Sequence, residues 1–568
     1  MSMTPYEQLL EHAEFRPEAL ALTLWRDGTA SRSWTWRALN EKVDQTLRGL
    51  NAYGVQPGDR VVIVLPNDDS FISSMLACSG RGSVAVPAPI PMSGRPAAFK
   101  ERLLGIVGAC DPALIVTAGR WLEDVRELMA KVRLSCPVVS ESELARTGAE
   151  LRISPDRDGL VLLQFTSGST KRPRGVKVTT ASLTANCGQT ALAYGESSDD
   201  TAVTWVPLFH DMGLVTGLMR PLFQGYRTVL LSPGHFVRDP MQWLRAIDHC
   251  GGTLSSAPDF AYELCVRKIS SERVPSLNLS RWRVARNAGE VVRTATIRRF
   301  AEHFAPAGFR ESAFAPSYGL AEATLTVTTS GPGVPVLHLR VSASALARGD
   351  ITVAEAPDDD VRWLSSSGKP VSGTSVKLAA AAPGSIGEIH VSGPQLGGGY
   401  WMEPEGEASA DRWHATGDLG FMRDGHLFVL GRADDTLILQ GRNIFAVDIA
   451  AVCDEFAELR KGRCAAFIVD ETQAASAEVR LCAEVSESAP RSQLELNALA
   501  KRVRSALVTQ TDLFVRGVHL LPKGALPMTT SGKVRVRETR KRYVEQQLQA
   551  LFLNPEQSFE GAAAPVVA

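Results

Sequence analysis

Only nine of the 568 residues are cysteine (78, 110, 136, 187, 250, 265, 453, 464 and 482), with no Cys-x-x-Cys pair and no dense short framework. That scatter argues against a disulfide scaffold and for reduced, mostly structural thiols, as in a cytosol. Neither sign of charge is in excess: 61 Lys and Arg against 62 Asp and Glu leave a net charge of −1, which argues against general nucleic-acid binding. The opening MSMTPYEQLLEHAEFRPEAL lacks the basic and apolar blocks of a signal peptide. No uninterrupted apolar run is long enough to span a bilayer, so a cytoplasmic protein without membrane insertion is expected. What is there is ordinary globular material, 44% hydrophobic and 22% charged, long enough for roughly three to four domain-sized units.

Strand-like apolar runs alternate with helical periodicity. Leu39, Val43, Leu47 and Leu50 share a helix face, Gly54 and Pro57-Gly58 break it, and Arg60 to Leu65 reads as a buried strand. Val161 to Phe165 is a second such strand, and Ile297, Phe300, Ala301 and Phe304 form a second helical stripe. This alternation predicts an α/β fold of mostly parallel sheets covered by helices. After about Gly431 the units shorten: strands at Ala465 to Val469, Arg480 to Val485 and Val518 to Leu521, and a helix around 494–507, predict a compact α+β domain. The tail EGAAAPVVA is small and featureless, and residues 555–568 are expected to be disordered.

Punctuating this frame is an ordered series: Thr166-Ser167-Gly168-Ser169-Thr170, Tyr318-Gly319-Leu320-Ala321-Glu322, Thr416-Gly417-Asp418, Gly431-Arg432-Ala433-Asp434 and Ser531-Gly532-Lys533. In the first, small residues let backbone amides and three hydroxyls approach a polyphosphate, and Lys171, Arg172 and Arg174 add positive charge. Alone, such a cluster is equally a turn. Ser531-Gly532-Lys533 is not a Walker P-loop, because Pro527 and Val534 stand where that motif needs Gly and Ser or Thr. His210-Asp211 precedes a helix that Asp211 is expected to cap.

The ordered set resembles the superfamily of adenylate-forming enzymes that includes acyl-CoA synthetases, peptide-synthetase adenylation domains and firefly luciferase. Within it the chain is most similar to the fatty acyl-AMP ligases, through Val84 to Pro91 (VAVPAPIP), Trp205 to Leu214 (WVPLFHDMGL), Ala257 to Cys265 (APDFAYELC), Phe304 to Phe309 (FAPAGF) and the YGLAE run, a likeness spanning about Tyr6 to Tyr543. The resemblance implies a large domain over 1–431 with a small barrel-like subdomain. A small mobile lid domain over 432–554 follows, turning about a hinge at Asp434.

It further implies ATP and Mg²⁺. Thr166, Ser167, Gly168, Ser169 and Thr170 would hold the phosphates, and Glu322 would bind the metal. Asn287, Ala288, Gly289, Glu290, Tyr318 and Gly319 would surround adenine. Asp418 and Arg432 would meet the ribose, and Lys533 would bridge the substrate carboxylate and the α-phosphate. His210 would sit between nucleotide and acyl chain, with Met212, Leu214 and Leu218 as acyl-pocket residues; residues of a helix core look identical in sequence.

Against the wider pattern, Lys171 replaces a Gly, Arg174 a Lys and Ala321 a Thr, and Asn287-Ala288-Gly289-Glu290 exchanges two small residues. Residues from about 336 to 371 resemble the extra segment that accompanies poor use of coenzyme A in the acyl-AMP ligases. The implied acceptor is then an acyl carrier protein. Nothing resembling Gly-x-Asp-Ser-Leu follows Lys533, so that partner is expected in trans, with Arg535, Arg537, Arg540, Lys541 and Arg542 as a basic docking stretch or a solvated helix face. An acyl-CoA synthetase and a catalytically silent acyl- or adenylate-binding module are the alternatives.

Overall fold

The computed structural model describes residues 3–91, 96–145, 149–166, 173–354, 360–380, 384–403, 412–439, 442–469, 478–490, 492–529 and 532–552. The expected tail lies outside these residues, as do Ser167 to Arg172 and Ser531.

Two large sheets carry the first 370 residues. One has six strands in the order Val138–Ser140, Leu114–Thr117, Arg60–Val64, Val84–Pro87, Leu160–Thr166 and Arg174–Thr179. All its pairings are parallel except the last. Its central strands are buried on both faces, which is why they read as unbroken Val, Ile and Leu rather than alternating. The other sheet has nine strands, with Phe314–Gly319, Val284–Asn287, Leu254–Ala257, Thr201–Thr204, Arg227–Leu230 and Leu20–Arg26 running parallel in that order through its middle. Antiparallel strands close both of its ends.

Helices fill the space between and around the sheets. Trp36–Ala52 buries the predicted stripe of Leu39, Val43, Leu47 and Leu50. Thr294–Phe304 buries Ile297, Phe300, Ala301 and Phe304 in an aromatic cluster with Tyr262, Trp282 and Phe309. The ends of the parallel strands next to the helix starts are where such folds place ligands.

The expected small barrel-like subdomain is instead an open antiparallel sheet of four strands, Ser375–Ala380, Gly387–Ser392, His414–Arg423 and His426–Arg432. The first and last strands do not pair, so no barrel closes among the described residues. Beyond Asp435 a separate core forms around the strands Leu459–Ile468, Val479–Val485 and Gly517–Leu521, with the helices Ala446–Asp454, Gln493–Thr511 and Val536–Val544.

The segment 336–371 folds as a hairpin, His338–Ser342 against Val361–Ser365, with the short helix Ala343–Ala347. It packs on Phe421, Phe428 and Phe445. None of the nine cysteines forms a disulfide. Among the described residues no helix is long and apolar enough to cross a membrane.

Candidate active site

The site begins at the end of Phe314–Gly319. Leu320 to Leu325 form a tight loop in which the Leu325 amide donates to the Ala323 carbonyl and the Leu320 amide to the Leu325 carbonyl. Thr324 adopts φ +60°, an uncommon conformation for a β-branched residue, and its hydroxyl donates to the Gln395 carbonyl at 2.8 Å. This loop presents Glu322, whose Oε1 accepts the Tyr400 hydroxyl at 2.6 Å. Arg174 stacks on the Tyr400 ring at 3.5 Å and pairs with Glu403 at 2.7 Å. It therefore braces the residue that holds Glu322.

Next to this loop, Val284–Asn287 delivers the segment Asn287 to Glu290. Asn287 donates to Asp259 at 2.9 Å, Glu290 accepts the Phe260 amide at 3.1 Å, and Gly289 takes φ +82°, as a left-handed turn residue can. Tyr318 is buried and donates to Asp418 Oδ2 at 2.7 Å, while Arg432 Nε approaches Asp418 Oδ1 at 3.4 Å. Asp418 stands where Gly417, at φ +72°, turns the chain against Glu388. Burial pushes the Asp418 carboxyl up, against the opposing pull of Arg432 and the Tyr318 hydroxyl.

Lys533 reaches this cleft from the other core. Its turn is fixed by the Thr529 amide donating to the Lys533 carbonyl at 2.7 Å and the Lys533 amide donating to Thr529 Oγ1 at 3.0 Å. Its Nζ donates to the Gly289 carbonyl, across 244 residues of sequence. Burial raises the Glu290 carboxyl, and the Lys533 charge opposes the rise; the same holds at Asp211, where Glu322 adds to the rise.

Asp434 lies in the turn Ala433–Asp435 between the two cores and pairs with Arg537 at 2.5 Å. The basic stretch is thus less free than expected: Arg537 holds this turn, Arg540 donates to the Ile468 carbonyl at 2.8 Å, and Arg542 pairs with Glu538 at 2.9 Å.

The structure joins Tyr318, Asp418 and Arg432 directly, sets Lys533 on the Asn287 to Glu290 segment, and leaves Glu322 and Lys533 within electrostatic reach of Asp418. Thr166 ends its strand, and Ser167, Gly168, Ser169 and Thr170 fall outside the described residues. His210 occupies the cap position of the helix Asp211–Leu214, so Asp211 is its first residue rather than its cap and accepts the Met212 amide at 2.7 Å. Leu214 and Leu218 belong to the main core with Leu183 and Leu325. Met212 faces the Gly289 turn, its terminal methyl 3.9 Å from where a Cβ on Gly289 would lie.

A π-helical turn, Val215–Met219, follows at once, with Thr216 donating to the Met212 carbonyl at 2.7 Å; such turns often mark functional sites. Sequence reasoning missed Tyr400, Thr324 and Arg286. The last has a readable signal, a charged residue inside the apolar strand Val284-Ala285-Arg286.

A family model described as AMP-binding enzyme matches residues 9–401. The medium-chain-fatty-acid–[acyl-carrier-protein] ligase JamA of Moorena producens is 34% identical over 540 residues, covering 90% of each chain. The long-chain-fatty-acid–AMP ligase FadD26 of Mycobacterium marinum is 33% identical over 574 residues, covering 94% of this chain and 96% of that one. Among solved structures, one from work on fatty acyl-adenylate ligases of E. coli and L. pneumophila superposes with a TM-score of 0.88 at 29% identity, covering 96% and 98% of the two chains. A fatty acyl-adenylate ligase of L. pneumophila in complex with acyl adenylate and pyrophosphate gives a TM-score of 0.71 at 26% identity, covering 96% and 97%.

Proposed function

The chain belongs to the AMP-binding enzyme family, and on that premise we propose that it is a fatty acyl-AMP ligase working with an acyl carrier protein. A fatty-acid carboxylate oxygen attacks the α-phosphorus of ATP, the bond to the β-phosphate oxygen breaks, and pyrophosphate leaves. The acyl-adenylate then meets the phosphopantetheine thiol of the carrier, which loses its proton as AMP departs. The observation that carries this reading is the seating of Lys533 Nζ on the carbonyl of Gly289, the turn residue of the Asn287 to Glu290 segment.

Attack of one anion on another needs positioning and cations where charge accumulates, more than acid or base catalysis. Lys533 is the protein's cation for that step. Asp418 would accept from the ribose hydroxyls with Arg432 beside it, and the Asn287 to Glu290 segment and Tyr318 would flank adenine. Thr166 to Thr170 would hold the phosphates.

The donor set at Glu322 fits magnesium. No group of three or more His, Cys, Asp or Glu gathers among the described residues, whereas Mg²⁺ is commonly held by one or two carboxylates together with substrate phosphates. Bound there, the ion would neutralise phosphate charge. Tyr400 orients the carboxylate for it, and Asp434 would serve as the pivot for the 432–554 lid.

The experiment is acid-dependent ATP–pyrophosphate exchange, followed by product analysis with coenzyme A and phosphopantetheinylated carrier protein supplied separately. Exchange with fatty acids and thioester formation on the carrier are expected. Lys533→Ala should cut exchange by about a hundredfold or more while nucleotide still binds. Rapid release of acyl-CoA would favour an acyl-CoA synthetase, and exchange unchanged in Lys533→Ala would remove the lysine from the reaction.

A further inference from the structure

Arg286 sits in surroundings that do not match its chemistry. It is 1% exposed, and its Nε and both terminal nitrogens have no hydrogen-bond partner among the described residues. A guanidinium offers five N–H donors and stays charged, so burying one without an acceptor is unfavourable unless a ligand supplies it.

The strand register shows which way it points. Arg286 lies opposite Ser256 and Ala315, and strand alternation sends it to the face opposite Asn287, whose side chain bonds Asp259. The face of Arg286 is the one covered by Tyr194 and by the helical stretch that starts at Asp211 and contains the π-turn. A cavity near this face is lined by the polar Ser256, Thr204, Thr216 and Arg220 together with the apolar Leu254 and Val284.

The neighbouring charges do not satisfy Arg286 either. Arg220 forms a buried ion pair with Glu196, which also accepts the Tyr226 hydroxyl at 3.0 Å. Asp211, the acid within electrostatic reach, already accepts the Met212 amide, and burial pushes its carboxyl up. Thr216 of the cavity wall donates to the Met212 carbonyl, and the Met212 methyl lies 3.9 Å from where a Cβ on Gly289 would stand, which sets this compartment beside the turn that Lys533 meets.

We propose that Arg286 recognises an oxygen acceptor on the chain of the acyl substrate, distinct from the carboxylate that is activated, so that the enzyme selects an oxygenated or dicarboxylic acid over an unsubstituted one. This rests on the acyl-adenylating reading above. A guanidinium fork gives a carboxylate two parallel hydrogen bonds and a hydroxyl or oxo group at least one. A site built around such donors discriminates strongly against analogues that leave them unpaired.

The test is adenylate formation, followed by mass spectrometry and pyrophosphate release, from four chain-matched acids: decanoic, 3-hydroxydecanoic, 10-hydroxydecanoic and decanedioic acid. The wild type is expected to favour at least one oxygen-bearing acid over decanoic acid by about tenfold or more in kcat/KM, and which acid wins tells a hydroxyl from a second carboxylate. Arg286→Leu should reverse the order in favour of decanoic acid.

A wild-type preference for decanoic acid would overturn the inference. So would an Arg286→Leu variant that loses activity equally toward all four, as an anchor for the reacting carboxylate or a purely structural arginine would. If that variant fails to fold by thermal melt, the wild-type ranking decides alone. No adenylate from any of the four, nor from hexadecanoic, 16-hydroxyhexadecanoic or hexadecanedioic acid, would overturn the acyl-adenylating reading, and this inference with it.

Discussion

At Gly319 the chain passes so close to the loop it enters that a Cβ would lie 1.8 Å from the Leu325 carbonyl oxygen, a backbone atom that cannot swing aside. Gly319→Ala should therefore displace the loop carrying Glu322, costing about 2 kcal/mol or more, seen as a lower thermal midpoint together with lost pyrophosphate exchange. That glycine was legible in the sequence as part of the Tyr318 to Glu322 motif; the reason for it was not, since the obstructing oxygen comes from a residue six positions on. Arg286 shows the same limit. An arginine in an apolar strand is visible in the sequence, but only the register reveals that its head meets no acceptor among the described residues.

Among elements, the strands and amphipathic helices were readable because burial on both faces or on one stripe writes itself into the local pattern. The predicted helix around 494–507 is Gln493–Thr511, and the predicted strands at 465, 480 and 518 pair into one small sheet. Closure of a sheet depends on which distant edges meet, and there the barrel expectation gave way to four open strands. The 336–371 hairpin was legible only as an extra segment. What it touches emerged from the fold: Arg362 pairs with Asp448 of the helix Ala446–Asp454 at 2.8 Å and lies over the Phe445 ring. If this contact restrains the second core, the double variant Arg362→Leu with Asp448→Asn, which avoids leaving a buried charge unpaired, should raise acyl-CoA formation several-fold. Adenylate formation should stay within about twofold. Coenzyme A use unchanged from wild type would rule the contact out as a restraint.

For the molecule as a whole, buried histidines set a pH limit. His338 and His519 are pushed from 6.5 to about 4, chiefly by burial and then by the nearby Arg298 and Arg480 respectively. The unfolded chain takes up a proton at each site below about 6.5, and the folded chain does so only near 4. Their contribution is therefore complete above pH 6.5 and is lost progressively as pH falls through that window. Thermal midpoints measured from pH 7 down to about 4.5 should fall, and His338→Asn with His519→Gln should flatten the decline.

The ammonium group of Lys533 rests on the oxygen of Gly289. Such a group carries three N–H donors, so the one given to Gly289 leaves two for other acceptors. Whatever else that amine serves must therefore lie within hydrogen-bond reach of the Gly289 turn, which makes the backbone of one loop the gauge for a side chain arriving from another core.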